Sequence, residues 1–141
     1  MDKDKLFKLL EEGLNCSQTV LTYYADRYKL EKGKAIAIAQ PFESGVFTGG
    51  TCGAVSGAYM VLGLEYSSTG PETRDKMREK VEIFNQKYTE KMGSLICKDI
   101  LNLDISTEEG FKKALEEKKF EEICPRAMVA AIEVLDEMVK K

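Results

Sequence analysis

The residues with the most distinctive chemistry in this chain are its four cysteines, Cys16, Cys52, Cys97 and Cys124. A cysteine thiolate attacks disulfides and binds metal ions, and a pair of thiols can store two electrons as a disulfide. Consecutive cysteines are 36, 45 and 27 positions apart, unlike the C-x-x-C pairs of many zinc and iron–sulfur sites. Only the folded chain can bring them together, so the spacing alone names no metal.

The composition excludes several other kinds of site. The 141 residues contain no histidine. They therefore cannot form a Ser-His-Asp triad, a Cys-His triad or a metal site with histidine ligands. They contain no C-x-x-C-H motif either, so no covalently attached c-type haem is expected. The cysteines therefore remain the main candidates for catalysis or cofactor binding, and whether the chain is an enzyme stays open.

Charge and length limit the class of protein. There are 21 basic and 24 acidic residues, giving a net charge of -3. Nucleic-acid binders usually carry a basic excess, so no nucleic-acid partner is expected. The N-terminal segment MDKDKLFKLLEEGL is charged and has no uninterrupted apolar run, unlike a signal peptide. We expect a cytoplasmic protein. Structural disulfides are uncommon in the cytoplasm.

One uncharged stretch, Ser44–Leu64, divides the chain. It begins as a glycine-rich loop and continues with apolar residues on all sides of a predicted helix, a pattern typical of a buried helix. Thr51 is the expected N-cap, which places Cys52 in the first helical turn. Gly53 and Gly57 lie on one face and permit close backbone approach. The helical part has about a dozen residues, fewer than the roughly 20 that span a bilayer.

The rest of the chain is predicted to be helical as well. Apolar periodicity and capping residues predict helices over roughly 4–12, from Asn15 onward, 34–40, 72–92, 94–101, 107–117 and 125–139. Ser94 is the expected N-cap of the helix over 94–101, and Ser106 is the expected N-cap of the helix over 107–117. The whole chain, 1–141, is therefore predicted to form one all-α domain, a bundle of about six to eight helices around the Gly/Ala-rich central helix. A homodimer is plausible, but no pattern requires it.

On these assignments every cysteine lies at the beginning of a helix. Cys124 is the expected N-cap before Pro125, and the others lie within one turn of a predicted cap. The partial positive charge of a helix N-terminus stabilises an anion by about 0.3–1 kcal/mol, and the neighbouring Lys98 and Arg126 act in the same direction. Convergence of the four thiols would produce a shared redox or metal site.

The residues CGAVSG, Cys52–Gly57, with Cys16 upstream and Cys97 and Cys124 downstream, resemble the C_GCAxxG_C_C family of "putative redox-active" proteins. The four cysteines and the motif together cover nearly the whole chain. This chain reads C-G-A-x-x-G where the family name reads G-C-A-x-x-G.

The resemblance implies a redox role but no particular reaction. A related domain occurs in split-Soret multihaem cytochromes, where it is associated with an iron–sulfur cluster. By that likeness Cys16, Cys52, Cys97 and Cys124 are the expected ligands of a cluster, [2Fe–2S] rather than [4Fe–4S], that passes single electrons to a redox partner protein. Two alternatives remain open: a metal-free dithiol protein with Cys52 and Cys124 as its low-pKa members, and a structural Cys₄ zinc module.

Overall fold

A computed structural model describes residues 1–139, and in this range the chain forms eight α-helices and no β-strand. This confirms the predicted all-α single domain. The helices are α1 (Lys3–Glu11), α2 (Cys16–Ala25), α3 (Lys32–Ala39), α4 (Gly53–Tyr66), α5 (Glu72–Met92), α6 (Cys97–Leu101), α7 (Glu108–Glu116) and α8 (Lys119–Met138). Among the described residues, no helix is long and apolar enough to cross a membrane.

The central helix of the fold is α4, as the uncharged stretch predicted. Its first turns are buried, and it packs against α2, α5 and α8. A Cβ atom added at Gly57 would lie 2.8 Å from the carbonyl oxygen of Ser17 and 3.1 Å from the Cβ of Val20. The absence of a side chain at Gly57 therefore lets the backbones of α2 and α4 approach each other closely.

The helix boundaries set by strong local signals are confirmed. The side chain of Asn15 accepts a hydrogen bond from the backbone N–H of Gln18 (2.9 Å), and the Gln18 side chain accepts one from the Asn15 N–H (3.0 Å). This is the predicted capping box, and it begins α2 at Cys16. Helix α5 has the predicted bounds, with Phe84 and Tyr88 fully buried on its apolar face.

The predicted cap at Thr51 is wrong by one residue. Thr51 forms an antiparallel β-bridge with Ile96, and Cys52 is the N-cap of α4. Two backbone hydrogen bonds hold the bridge: the Cys52 N–H donates to the Leu95 carbonyl at 2.8 Å, and the Cys97 N–H donates to the Gly50 carbonyl at 2.6 Å. Pairing with a segment 45 residues away thus fixes the conformation of Thr51, which no local pattern could indicate.

Two further predicted caps are displaced. The N-cap of α6 is Ile96 rather than Ser94, whose hydroxyl instead accepts a hydrogen bond from the Ile96 N–H at 3.0 Å. The N-cap of α7 is Thr107 rather than Ser106, and its hydroxyl accepts from the Gly110 N–H at 2.9 Å. Cys97 nevertheless remains the first residue of a helix.

The beginning of the last helix differs most from the prediction. Pro125 lies inside α8, which starts at Lys119, and Cys124 is therefore an interior helical residue rather than an N-cap. An internal proline removes a helical hydrogen bond and normally costs about 3 kcal/mol. Apolar burial opposes this cost, because Phe120 and Ile123 in the extra turns pack against a buried cluster that consists of Cys97, Leu101, Ile105 and Ala114.

The buried apolar residues form two clusters. The larger includes residues of α1, α2, α4, α5 and α8, and the smaller consists of Cys97, Leu101, Ile105 and Ala114. Cys124 is the one cysteine that packs against both clusters. The junction between the two clusters is where the candidate site lies.

Candidate functional site at the four cysteines

All four cysteines line one cavity of about 530 Å³. Each comes from a different helix: Cys16 from the first residue of α2, Cys52 from the N-cap of α4, Cys97 from the first residue of α6 and Cys124 from the interior of α8. Cys52 and Cys97 are buried, whereas Cys16 and Cys124 are half-buried, and none is in a disulfide. The fold thus converges the thiols that the sequence separates.

The β-bridge between Thr51 and Ile96 positions two of these thiols. Each of these two cysteines directly follows a bridge residue: Cys52 follows Thr51, and Cys97 follows Ile96. Because successive side chains of paired extended backbone point to opposite faces, we expect Cys52 and Cys97 to leave the bridge on the same face. Both then line the cavity. Gly50, whose carbonyl accepts from the Cys97 N–H, places no side chain on that face.

The other two thiols form a pair. Cys16 and Cys124 lie close enough for a hydrogen bond between them to shift both pKa values. Cys16 is also held close to the central helix, because a Cβ atom at Gly53 would lie only 3.1 Å from the Cys16 Cβ. The motif glycine at position 53 therefore makes room for the first cysteine, which is a more specific role than general packing.

The protonation of the thiols contradicts the helix-terminus argument. Burial raises the pKa of Cys52, and it raises the pKa of Cys97 to about 12. The hydrogen bond to Cys124, together with burial, raises the pKa of Cys16 well above its ordinary value. Desolvation of a thiolate outweighs the stabilisation of about 1 kcal/mol that a helix N-terminus provides.

Cys124 is the one cysteine with a lowered pKa, as predicted, but the cause is not a helix N-terminus. The hydrogen bond from Cys16 lowers the pKa of Cys124, although Cys124 is not at a helix N-terminus. The expectation that Cys52 is a low-pKa member is wrong. Lys98 and Arg126 are exposed and do not line the cavity, and the pKa shifts of Cys97 and Cys124 have other causes.

Tyr88 contacts the site from α5. Its hydroxyl oxygen lies 3.5 Å from the sulfur of Cys52, and its ring is fully buried and stacked on Phe84. Burial keeps the pKa of the Tyr88 phenol well above its usual value, so the phenol stays protonated and is the donor to an ionised or ligating sulfur. Tyr88 belongs to the apolar face of α5, but no local sequence pattern indicates its contact with Cys52.

The rest of the cavity wall is mainly apolar. Glu43 and Glu121 are its only charged lining residues among those that the structure describes. The Glu43 carboxylate accepts a hydrogen bond from the Asn15 side chain at 3.3 Å. Neither carboxylate nor the apolar residues of α7 could be predicted at this site from the sequence, because the approach of α7 to α8 depends on the tertiary structure.

The cysteines are not placed for a single metal ion. Within residues 1–139, no group of three or more His, Cys, Asp or Glu side chains has an arrangement that could hold one ion. A tetrahedral zinc ion with Zn–S bonds of about 2.3 Å requires its sulfurs to lie roughly 3.8 Å apart. The donor set therefore matches the number and type of ligands in a Cys₄ site, but not the geometry of a preformed mononuclear one.

Comparison with known proteins identifies the family. A family model described as "Putative redox-active protein (C_GCAxxG_C_C)" matches residues 14–138, which include all four cysteines. Comparisons with curated proteins and with solved structures gave no match. Because this match covers most of the sequence, the chain belongs to the C_GCAxxG_C_C family of putative redox-active proteins.

Proposed function

We propose that this protein transfers single electrons through an iron–sulfur cluster, [2Fe–2S], ligated by Cys16, Cys52, Cys97 and Cys124. The observation that supports the proposal is the convergence of all four thiols, from four helices, on one cavity. Thiolates are the usual protein ligands of such clusters, and four of them complete the ligand set.

A [2Fe–2S] cluster divides its four thiolate ligands into two pairs, one pair on each iron. The proposed ligand set therefore needs two close pairs of sulfurs rather than four sulfurs around one ion, and all four thiols line the same cavity. The raised pKa values of three thiols also mean that metal binding must displace protons, which couples ligation to pH.

The surrounding residues have defined tasks in this proposal. When bound, the cluster would supply a one-electron redox couple. With Cys52 bound to iron as a thiolate, the Tyr88 phenol would donate a hydrogen bond to its sulfur, and such bonds to ligand sulfurs tune the reduction potential. The apolar side chains from α6 and α8, among them Leu101 and Met128, reduce the access of water. The electron donor or acceptor is a separate redox partner protein.

The test is an anaerobic visible spectrum of freshly purified protein, with iron, sulfide and zinc assayed on the same sample. We expect visible absorption that bleaches on reduction, together with equal amounts of iron and sulfide. A colourless protein that contains zinc would support the structural alternative. A colourless, metal-free protein that also fails cluster reconstitution would contradict the proposal.

The contact between Cys16 and Cys124 supports a second candidate function, thiol–disulfide exchange. Here the Cys124 thiolate attacks one sulfur of a disulfide-bearing protein and forms a mixed disulfide, and the released thiolate takes up a proton. Cys16 then loses its proton and attacks the sulfur of Cys124, which releases the second thiol. Overall, two thiols of this chain become a disulfide, and the other protein's disulfide becomes two thiols.

This second function predicts one specific disulfide. Mild oxidation of the metal-free protein should remove two of its four free thiols, and peptide mapping should find Cys16 joined to Cys124. The Cys97→Ser variant, which keeps the pair, should lose two thiols as well. A mixture of disulfides, or one that joins Cys52 to Cys97, would contradict the assignment of this pair.

A further inference from the structure

The cavity extends well beyond the four thiols. Its volume of about 530 Å³ corresponds to the liquid volume of about 18 water molecules. The inorganic core of a [2Fe–2S] cluster has four atoms and that of a [4Fe–4S] cluster has eight, so either would leave much of this volume free. The volume also lies within the range of roughly 300–1,000 Å³ that is typical of small-molecule sites.

The free part of the cavity has an apolar wall that reaches the surface. We call this part the outer chamber and define it by Leu10, Leu14, Phe111, Leu115 and Phe120. Phe111 and Leu115 are 40% and 56% exposed although they line the cavity, so they lie at its mouth. Leu10, Leu14 and Phe120 are half-buried, and Cys52 and Cys97 are buried. Exposure thus falls from the mouth towards the thiols.

Aromatic residues that line a cavity near its mouth are typical of ligand sites. The rings of Phe111 and Phe120 are 5.5 Å apart, from centroid to centroid, and tilted by 48°. An aromatic pair in this arrangement offers both ring faces and edges to an aromatic guest. Contiguous exposed apolar side chains commonly mark binding surfaces, and the exposed Phe111 and Leu115 both line the cavity.

The charges of the wall limit which molecule can bind. Glu43 and Glu121 are the charged residues along the described wall, and no lysine or arginine lines it. An anion would lose its hydration without gaining a cationic partner. A neutral molecule pays no such cost, and a cation would gain from the two carboxylates.

We propose that the outer chamber binds a small apolar molecule with one or two aromatic rings, neutral or positively charged. The inference goes beyond the proposed electron-transfer function and does not depend on which redox centre the thiols form. A guest in the outer chamber would occupy the same cavity as the thiols.

The test uses two fluorescent probes that differ in one charged group: neutral anilinonaphthalene and its anionic sulfonate derivative. Their fluorescence rises in an apolar site. The protein is used as purified, and variants are compared at equal iron content because bound iron quenches fluorescence. We expect the neutral probe to bind at one site, at least about tenfold more tightly than the sulfonate. Glu121→Gln should bring the two affinities closer together, because it removes a negative charge near the bound sulfonate. Glu121 is exposed, and glutamine keeps the shape of the wall.

A matched pair of variants locates the probe. Phe111→Ala should weaken binding of the neutral probe about tenfold, because it removes an aromatic face at the mouth. Phe47→Ala should leave binding unchanged, since Phe47 is 59% exposed and does not line the cavity. Because the Phe111 ring also packs against Phe120, binding is measured at a temperature at which circular dichroism shows that both variants are folded.

Three results would overturn the inference. Equal affinity for the two probes would contradict the charge argument, and equal effects of Phe111→Ala and Phe47→Ala would contradict the location. The third result would be a dimer in sedimentation that Phe111→Ala dissociates, with the neutral probe binding only to the dissociated variant. The occupant of the mouth would then be a second copy of the chain.

Discussion

Gly57→Ala is expected to lower the free energy of unfolding by about 1–2 kcal/mol. Overpacking at a tight contact typically costs about 1–3 kcal/mol, and the better helix propensity of alanine returns up to about 1 kcal/mol. The contact is tight because the new Cβ atom would lie 2.8 Å from the Ser17 carbonyl oxygen, a backbone atom that cannot move without displacing α2. Urea unfolding followed by circular dichroism measures the change.

The same helix provides the control. A Cβ atom at Gly63 would have no other atom within 4 Å, so Gly63→Ala should raise the free energy of unfolding by about 0.5–1 kcal/mol through helix propensity alone. If both substitutions stabilise the protein equally, α2 and α4 do not approach each other as closely as described. The opposite signs within one helix separate packing from propensity.

Replacing any one of the four cysteines by serine is expected to lower cluster occupancy strongly. Even changes next to a ligand weaken metal binding by about 10–100-fold, so the loss of a ligand should have at least this effect. Iron, sulfide and visible absorbance per protein, measured after anaerobic purification, give the occupancy. All four variants, Cys16→Ser, Cys52→Ser, Cys97→Ser and Cys124→Ser, should lose absorbance together.

A control must separate ligation from the effect of a new hydroxyl in the cavity. Ala127 lines the same wall, is 1% exposed and is not a donor, so Ala127→Ser adds a hydroxyl while leaving all four thiols in place. It should keep the full iron content. Full iron in Cys97→Ser or Cys52→Ser would contradict four-cysteine ligation. If, in addition, oxidation joins Cys16 to Cys124, exchange by this pair becomes the better account.

Much of the fold could be predicted because its signals are local. The capping box of Asn15 and Gln18 uses residues three positions apart, and the apolar face of Glu72–Met92 repeats every three or four residues. The central helix was recognisable from its lack of charge, since a helix without a polar face must be buried. The candidate cysteines were likewise evident from residue type, and the family match includes all four.

The tertiary structure decided the chemistry of the site. The environment of Cys124 could not be predicted, because apolar contacts of Phe120 and Ile123 extend α8 across Pro125 against the local rule. The pKa values differ from the prediction because burial and the contact between Cys16 and Cys124 outweigh the effect of helix termini. The sequence by itself determined that four thiols were available in an all-helical chain. Only the packing of α2, α4, α6 and α8 decided that they line one cavity, since convergence depends on contacts between residues far apart in sequence.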